Sequence, residues 1–88
     1  MQIKYYTLAA VFDPAAGILG TRSMGTFEDH EKAVETAQSL AVRLDLPVDM
    51  MACCMDPDDN WTIRYYPDGL KSSGGLINGF HSKRKEEA

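Results

Sequence analysis

Residues 27–47 read FEDHEKAVETAQSLAVRLDLP, and this stretch decides the fold. Ala33, Val34, Ala37, Leu40, Ala41 and Leu44 recur at steps of three and four, the spacing of one stripe on an α-helix. Glu31, Lys32, Glu35, Thr36, Gln38, Ser39 and Arg43 fall on the opposite side, and Val42 lies off the stripe. Thr26 and Asp29 are the N-cap candidates, with Glu28, Asp29 and Glu31 placing negative charge at the positive end of the helix dipole. Pro47 is the stop, because it disfavours helical geometry at Leu46 and donates no backbone hydrogen bond. A single amphipathic helix must bury its stripe on something, and the segments that flank it read as strand.

Upstream, Ile3 to Phe12 is rich in aromatic and β-branched residues, and both of its alternating sets are partly apolar. The turn Asp13-Pro14-Ala15-Ala16-Gly17 follows, and Ile18 to Phe27 is expected to return as an antiparallel strand, with Gly20 or Gly25 marking a bulge. Downstream, Val48 to Met55 is expected as a third strand and Trp61 to Tyr66 as a fourth, joined by the turn Asp56-Pro57-Asp58-Asp59-Asn60. The fourth has the cleanest alternation, with Trp61, Ile63 and Tyr65 on one face and Thr62, Arg64 and Tyr66 on the other. Pro67-Asp68-Gly69 closes it, and Ser72-Ser73-Gly74-Gly75 reads as linker. The order strand-strand-helix-strand-strand defines a compact α+β fold, an antiparallel sheet with one helix across it. Residues 1–80 form the single domain, and residues 81–88 are expected as a mobile tail.

Length and charge bound the function. At 88 residues, 44% hydrophobic and 25% charged, the chain has the composition of one small globular domain. Residues 1–80 hold eleven acids against six bases, a net charge of −5 within a chain of net −4. An acidic body argues against a duplex DNA binder that works by neutralising phosphates and leaves basic proteins as natural partners. No signal peptide or membrane span is legible, so the expected location is the cytoplasm, where Cys53 and Cys54 are reduced thiols.

The candidate catalytic and metal patterns fail on spacing. Asp56, Asp58 and Asn60 alternate as the first ligands of an EF-hand do, but Trp61 occupies the glycine position and Pro67 the twelfth. Cys53, Cys54, His30 and His81 match no zinc pattern, and no Cys-x-x-Cys exists. His30, at the edge of the apolar stripe, is read as a partly buried, hydrogen-bonded side chain. No cofactor and no enzymatic activity are expected.

Two features point outward. The first is acidic: Asp56, Asp58 and Asp59 in the turn, and Glu28, Asp29, Glu31 and Glu35 at the helix start, form two sets suited to a basic protein or nucleoprotein complex. The second is aromatic. Tyr5-Tyr6 and Tyr65-Tyr66 each send one ring to each sheet face, and one helix covers only one face. Either the segment Leu70–Phe80 folds over the other face, or that face serves a homodimer or a nucleic acid. The alternative function is therefore a small RNA or single-stranded nucleic-acid binder with an aromatic platform, against which the acidity counts.

In general character the chain resembles the small accessory proteins of phages and mobile elements, anti-CRISPR and anti-restriction proteins among them. The shared traits are a short chain, an acidic body, one α+β domain and no catalytic motif. The resemblance covers the whole chain, rests on no motif and transfers no functional residue. It implies inhibition of a host complex by occupation of its basic, nucleic-acid-binding surface.

Overall fold

In the computed structural model, which describes residues 2–75 and 86–87, five strands and a short sixth form one sheet with a single helix on one face. They are β1 (Ile3–Val11), β2 (Thr21–Phe27), α1 (His30–Leu44), β3 (Val48–Cys54), β4 (Trp61–Tyr65), β5 (Leu70–Gly75) and β6 (Glu86–Glu87). Two 3-10 segments, Pro14–Gly20 and Pro57–Asp59, connect β1 to β2 and β3 to β4. The spatial order is β2-β1-β3-β4-β5-β6, and every neighbouring pair is antiparallel. Since β1 opposes both β2 and β3, those two run the same way, and α1 carries the chain from one to the other across β1. This is the α+β architecture expected from the sequence, with the strand-strand-helix-strand-strand order intact.

Alternation assigns the helix-side face. Tyr6, Leu8, Val48, Met50, Ala52 and Tyr65 form the core there with Ala33, Ala37, Leu40 and Ala41 of α1, and Trp61, Ile63, Phe27 and Val34 pack around it. Three of the four helix residues are alanines, which lets the helix backbone lie close on the sheet. Leu44 departs from the expected stripe: it is 38% exposed, because it belongs to the last helical turn, past the end of the core cluster. Val42 is 67% exposed, as its off-stripe position requires.

Both helix ends are chemically defined. Asp29 is the N-cap; its Oδ1 accepts from the amides of Glu31 (2.9 Å) and Lys32 (3.4 Å). The helix stops before Pro47 because Asp45 turns left-handed (φ 55°), while Leu46 donates its amide to the Ala41 carbonyl at 3.3 Å. The bulge expected at a glycine falls at Gly25 (φ 132°), where the β1–β2 register shifts between Leu8 and Ala9.

Three other segments differ from expectation. Ile18–Gly20 is not strand: β2 begins at Thr21, and the apolar Ile18 and Leu19 sit in the 3-10 segment facing solvent. Ser72–Gly75 is not linker but the inner part of β5, held by pairing that sets Ser72 opposite Arg64 and Gly75 opposite Trp61. Glycine has low strand propensity, and cross-strand pairing here overrides it. Glu86–Glu87, within the region expected as tail, pair with Leu70 and Lys71. Of the segment Leu70–Phe80 expected as a possible cover for the second sheet face, Leu70–Gly75 instead extend the sheet as β5, and the rest lies outside the described residues with the ligand candidate His81.

The sheet face away from the helix is mixed, with Tyr5, Met51 and Cys53 set among small and polar residues. It carries Thr7, Ala9, Asp49, Thr62, Arg64 and Ser72, with Asp49 and Arg64 cross-strand neighbours. They form a two-point ion pair, Arg64 Nε to Asp49 Oδ1 at 2.7 Å and Nη2 to Oδ2 at 3.1 Å, and both residues are buried. Burial raises the Asp49 carboxyl above the ordinary range, although Arg64 pulls it down.

Candidate functional site

Register places the two acidic segments at one end of the sheet. Phe27, Tyr6, Ala52 and Trp61 stand opposite one another in a single row across β2, β1, β3 and β4. Glu28 and Asp29 follow directly from Phe27, and the turn Asp56–Asn60 spans the β3–β4 end of that row. With about 4.8 Å between neighbouring strands, the row brings the two segments to within roughly 10–15 Å of each other. The sharing of one end by Asp56, Asp58, Asp59, Glu28, Asp29, Glu31 and Glu35 follows from the parallel course of β2 and β3.

The β3–β4 turn is prebuilt. Asp56 Oδ1 accepts from the Asp58 amide (3.0 Å), the Asp56 carbonyl accepts from the Asp59 amide (2.9 Å), and Pro57 starts the 3-10 turn. Asn60 Oδ1 accepts from the Cys54 amide at 2.7 Å, and the Cys54 thiol points at the Asp59 carbonyl at 3.4 Å. These bonds occupy the side chains of Asp56 and Asn60 and leave the carboxylates of Asp58 and Asp59 projecting into solvent. A tip ordered in this way presents charge with little entropy left to lose on binding.

On the helix, Asp29 is engaged as the N-cap, while Glu28, Glu31 and Glu35 are exposed. Glu31 and Glu35 are one turn apart, an arrangement of like charges that costs a helix a few tenths of a kcal/mol. With His30 and Val34 they line a shallow depression on the flank of α1. Among the described residues, none of the seven carboxylates is in an ion pair; the one such pair is Asp49–Arg64.

An aromatic cluster joins the two segments. The Tyr6 ring lies 5.2 Å from the His30 ring and 6.4 Å, edge-on, from the Trp61 ring. His30 follows the helix cap and Trp61 follows the acidic turn, so Tyr6 fixes one against the other. His30 is exposed, not partly buried as expected, and its packing is this ring contact.

The four tyrosines do not share a surface. Tyr6 and Tyr65 are buried in the core on the helix side, where burial pushes the Tyr65 phenol up. Tyr5 and Tyr66 are on the other face but at opposite ends: Tyr5 pairs with Cys53 near the end of β3, and Tyr66 follows Tyr65, which pairs with Val48 at its start. Between them lie Met51 and the Asp49–Arg64 pair. Each pair of tyrosines thus sends one ring to each face, as alternation requires, and Tyr5 and Tyr66 are the two on the face away from the helix.

Cys53 and Cys54 are free thiols pointing to opposite faces, and among the described residues no three His, Cys, Asp or Glu side chains gather as a metal set. The Asp49–Arg64 pair is the feature that sequence reading missed. Its signal was an acid inside the apolar run VDMMACC and a base inside WTIRY. In comparisons with known proteins the chain matches no family model, no curated protein and no solved structure.

Proposed function

We propose that this is a small, non-enzymatic, acidic binding module that acts in the cytoplasm and engages a basic surface of a protein or nucleoprotein complex through its carboxylate-bearing end. The observation that carries the reading is the shared end itself: two acidic segments, distant in sequence, converge on one row with their charges unpaired among the described residues. Like charges held together raise the energy of the free protein, a cost that an opposite charge on a partner relieves. Occupying a basic nucleic-acid-binding surface would make the module an inhibitor, as with the anti-CRISPR and anti-restriction proteins it resembles in general character.

The experiment is affinity capture from the native host, identification of the bound protein, and association kinetics with that purified partner. Asp56, Asp58 and Asp59 are changed together to Asn, and Glu28, Glu31 and Glu35 together to Gln. Asp29 is left intact because it caps α1. Asn at position 56 retains the acceptor oxygen used by the Asp58 amide. Each triple variant is expected to keep its melting temperature and to slow association at low salt, about tenfold when the two are combined, with a flatter salt dependence. Unchanged association in the combined variant removes this end from the interface, and capture of naked nucleic acid in place of a protein overturns the partner class.

A further inference from the structure

From Pro14 to Gly20 the chain reads PAAGILG, seven residues without a charged or hydrogen-bonding side chain. Such a run normally lies inside a fold, yet Ile18 is 73% and Leu19 84% exposed, and Phe12 beside them is exposed as well. This exposure is built into the backbone. Asp13 Oδ1 accepts from the Ala15 amide (3.2 Å), and the Asp13 carbonyl accepts from the Ala16 amide (3.1 Å). The amides of Phe12 and Asp13 both donate to the Gly20 carbonyl, at 2.9 and 3.1 Å, and Thr21 Oγ1 donates to the Ile18 carbonyl at 2.7 Å. Gly20 sits so close to the Asp13 carbonyl that a Cβ has no room. The loop thus satisfies much of its own backbone and turns its aliphatic side chains outward.

We propose that this loop is a second docking element, which inserts Ile18 and Leu19 into an apolar cleft on a folded partner protein. It lies at the opposite end of the sheet from the carboxylates, separated by the seven residues of β2, or roughly 23 Å of strand. The proposal therefore does not depend on the acidic end.

Area and shape select the occupant. A loop of this size offers at most what the largest apolar patch on a typical monomer offers, about 300–600 Å². A standard interface needs roughly 800 Å² from each partner, so two tips meeting face to face fall short of a stable dimer. A cleft surrounds a convex tip on several sides, where one or two ordered aliphatic anchors act as a hot spot. A lipid surface fits less well, since the chain carries a net charge of −4, which anionic headgroups repel.

The test places a photo-crosslinking amino acid at Leu19 of the full chain in native host cells and maps the adduct. The expected result is one protein cross-linked at residues that line an apolar cleft. With that purified protein, Leu19→Asp and Ile18→Asp should each weaken binding about thirtyfold, the size of a hot-spot loss, while Leu19→Met binds as wild type. Both aspartate variants should melt with the wild type, since these side chains are already in solvent. An adduct to a second copy, with a dimer in sedimentation that Leu19→Asp abolishes, overturns the proposal. So does cosedimentation with phosphatidylcholine–phosphatidylglycerol vesicles that Leu19→Asp abolishes. Absence of any adduct, or equal affinity of Leu19→Asp for the captured protein, overturns it too.

Discussion

Replacing Arg64 with Met tests how the buried ion pair is balanced. Arg64 holds Asp49 by two hydrogen bonds of 2.7 and 3.1 Å on the sheet face away from the helix, and both residues are at least nine-tenths buried. Removing the guanidinium leaves a buried carboxylate without that partner, a change that costs about 3–5 kcal/mol in comparable sites. For a small domain with about 5–15 kcal/mol in total, this is a large share of its stability. Burial already raises the Asp49 carboxyl more than Arg64 lowers it, so without Arg64 the group should move further up. The folded state then holds the proton at pH values where the unfolded chain has released it. Stability of the variant should therefore be greatest at low pH and fall as pH rises from the unfolded carboxyl value toward the raised folded one. The slope across that window is up to about 1.4 kcal/mol per pH unit. Urea melts of Arg64→Met at pH 7 and pH 5, each referred to wild type, measure it, and the defect should be smaller at pH 5. The double change Asp49→Leu with Arg64→Met should recover most of the loss, because removing both charges also removes the desolvation cost. A defect under about 1 kcal/mol at pH 7, or a double variant as unstable as the single, would refute the reasoning.

Leu40→Ala should cost about 2–5 kcal/mol, whereas Leu44→Ala and Val42→Ala, at exposed positions, should each cost under about 1 kcal/mol in the same melts. Gly20→Ala should destabilise by about 1–3 kcal/mol, because its methyl group meets the Asp13 carbonyl, and the loop amides at Phe12 and Asp13 should then exchange faster with deuterium. Asp29→Ala should cost about 1 kcal/mol through the lost helix cap, read as a lower melting temperature, with Asp29→Asn close to wild type. Iodoacetamide should label the half-buried Cys53 before the buried Cys54, whose thiol is pushed up by burial and then by the nearby Asp59; mass spectrometry of the native protein orders the two.

Much of the fold was legible because two periodicities are strong in this chain. The three-and-four spacing from Ala33 to Ala41 belongs to α1, and the two-residue alternation from Trp61 to Tyr65 belongs to β4. Where the sequence misled, the physics was tertiary. Ile18 and Leu19 have strand propensity, but the Asp13 cap and the close approach of Gly20 hold them in a 3-10 turn. Ser72 to Gly75 have little strand propensity, yet each is paired with a β4 residue. Leu44 has the right period and the wrong height, one turn beyond the core.

The candidate site was legible in composition and not in placement, and the reason is topological. The acidic residues of 28–35 and 56–59 are obvious as letters. Whether they meet depends on the relative direction of β2 and β3, which no local pattern encodes. A hairpin return from β2 to an adjacent antiparallel β3 would have sent the helix start and the β3–β4 turn to opposite ends of the sheet. Here β1 lies between β2 and β3 and opposes both, so the two run parallel and both exit at the Phe27–Trp61 row. The same geometry sends the loop with Ile18 and Leu19 to the other end, next to where α1 terminates at Asp45. A helix that crosses over one strand thus places the seven carboxylates and the Ile18–Leu19 loop at opposite ends of the sheet. The two ends can then be altered independently, with the buried core between them left intact.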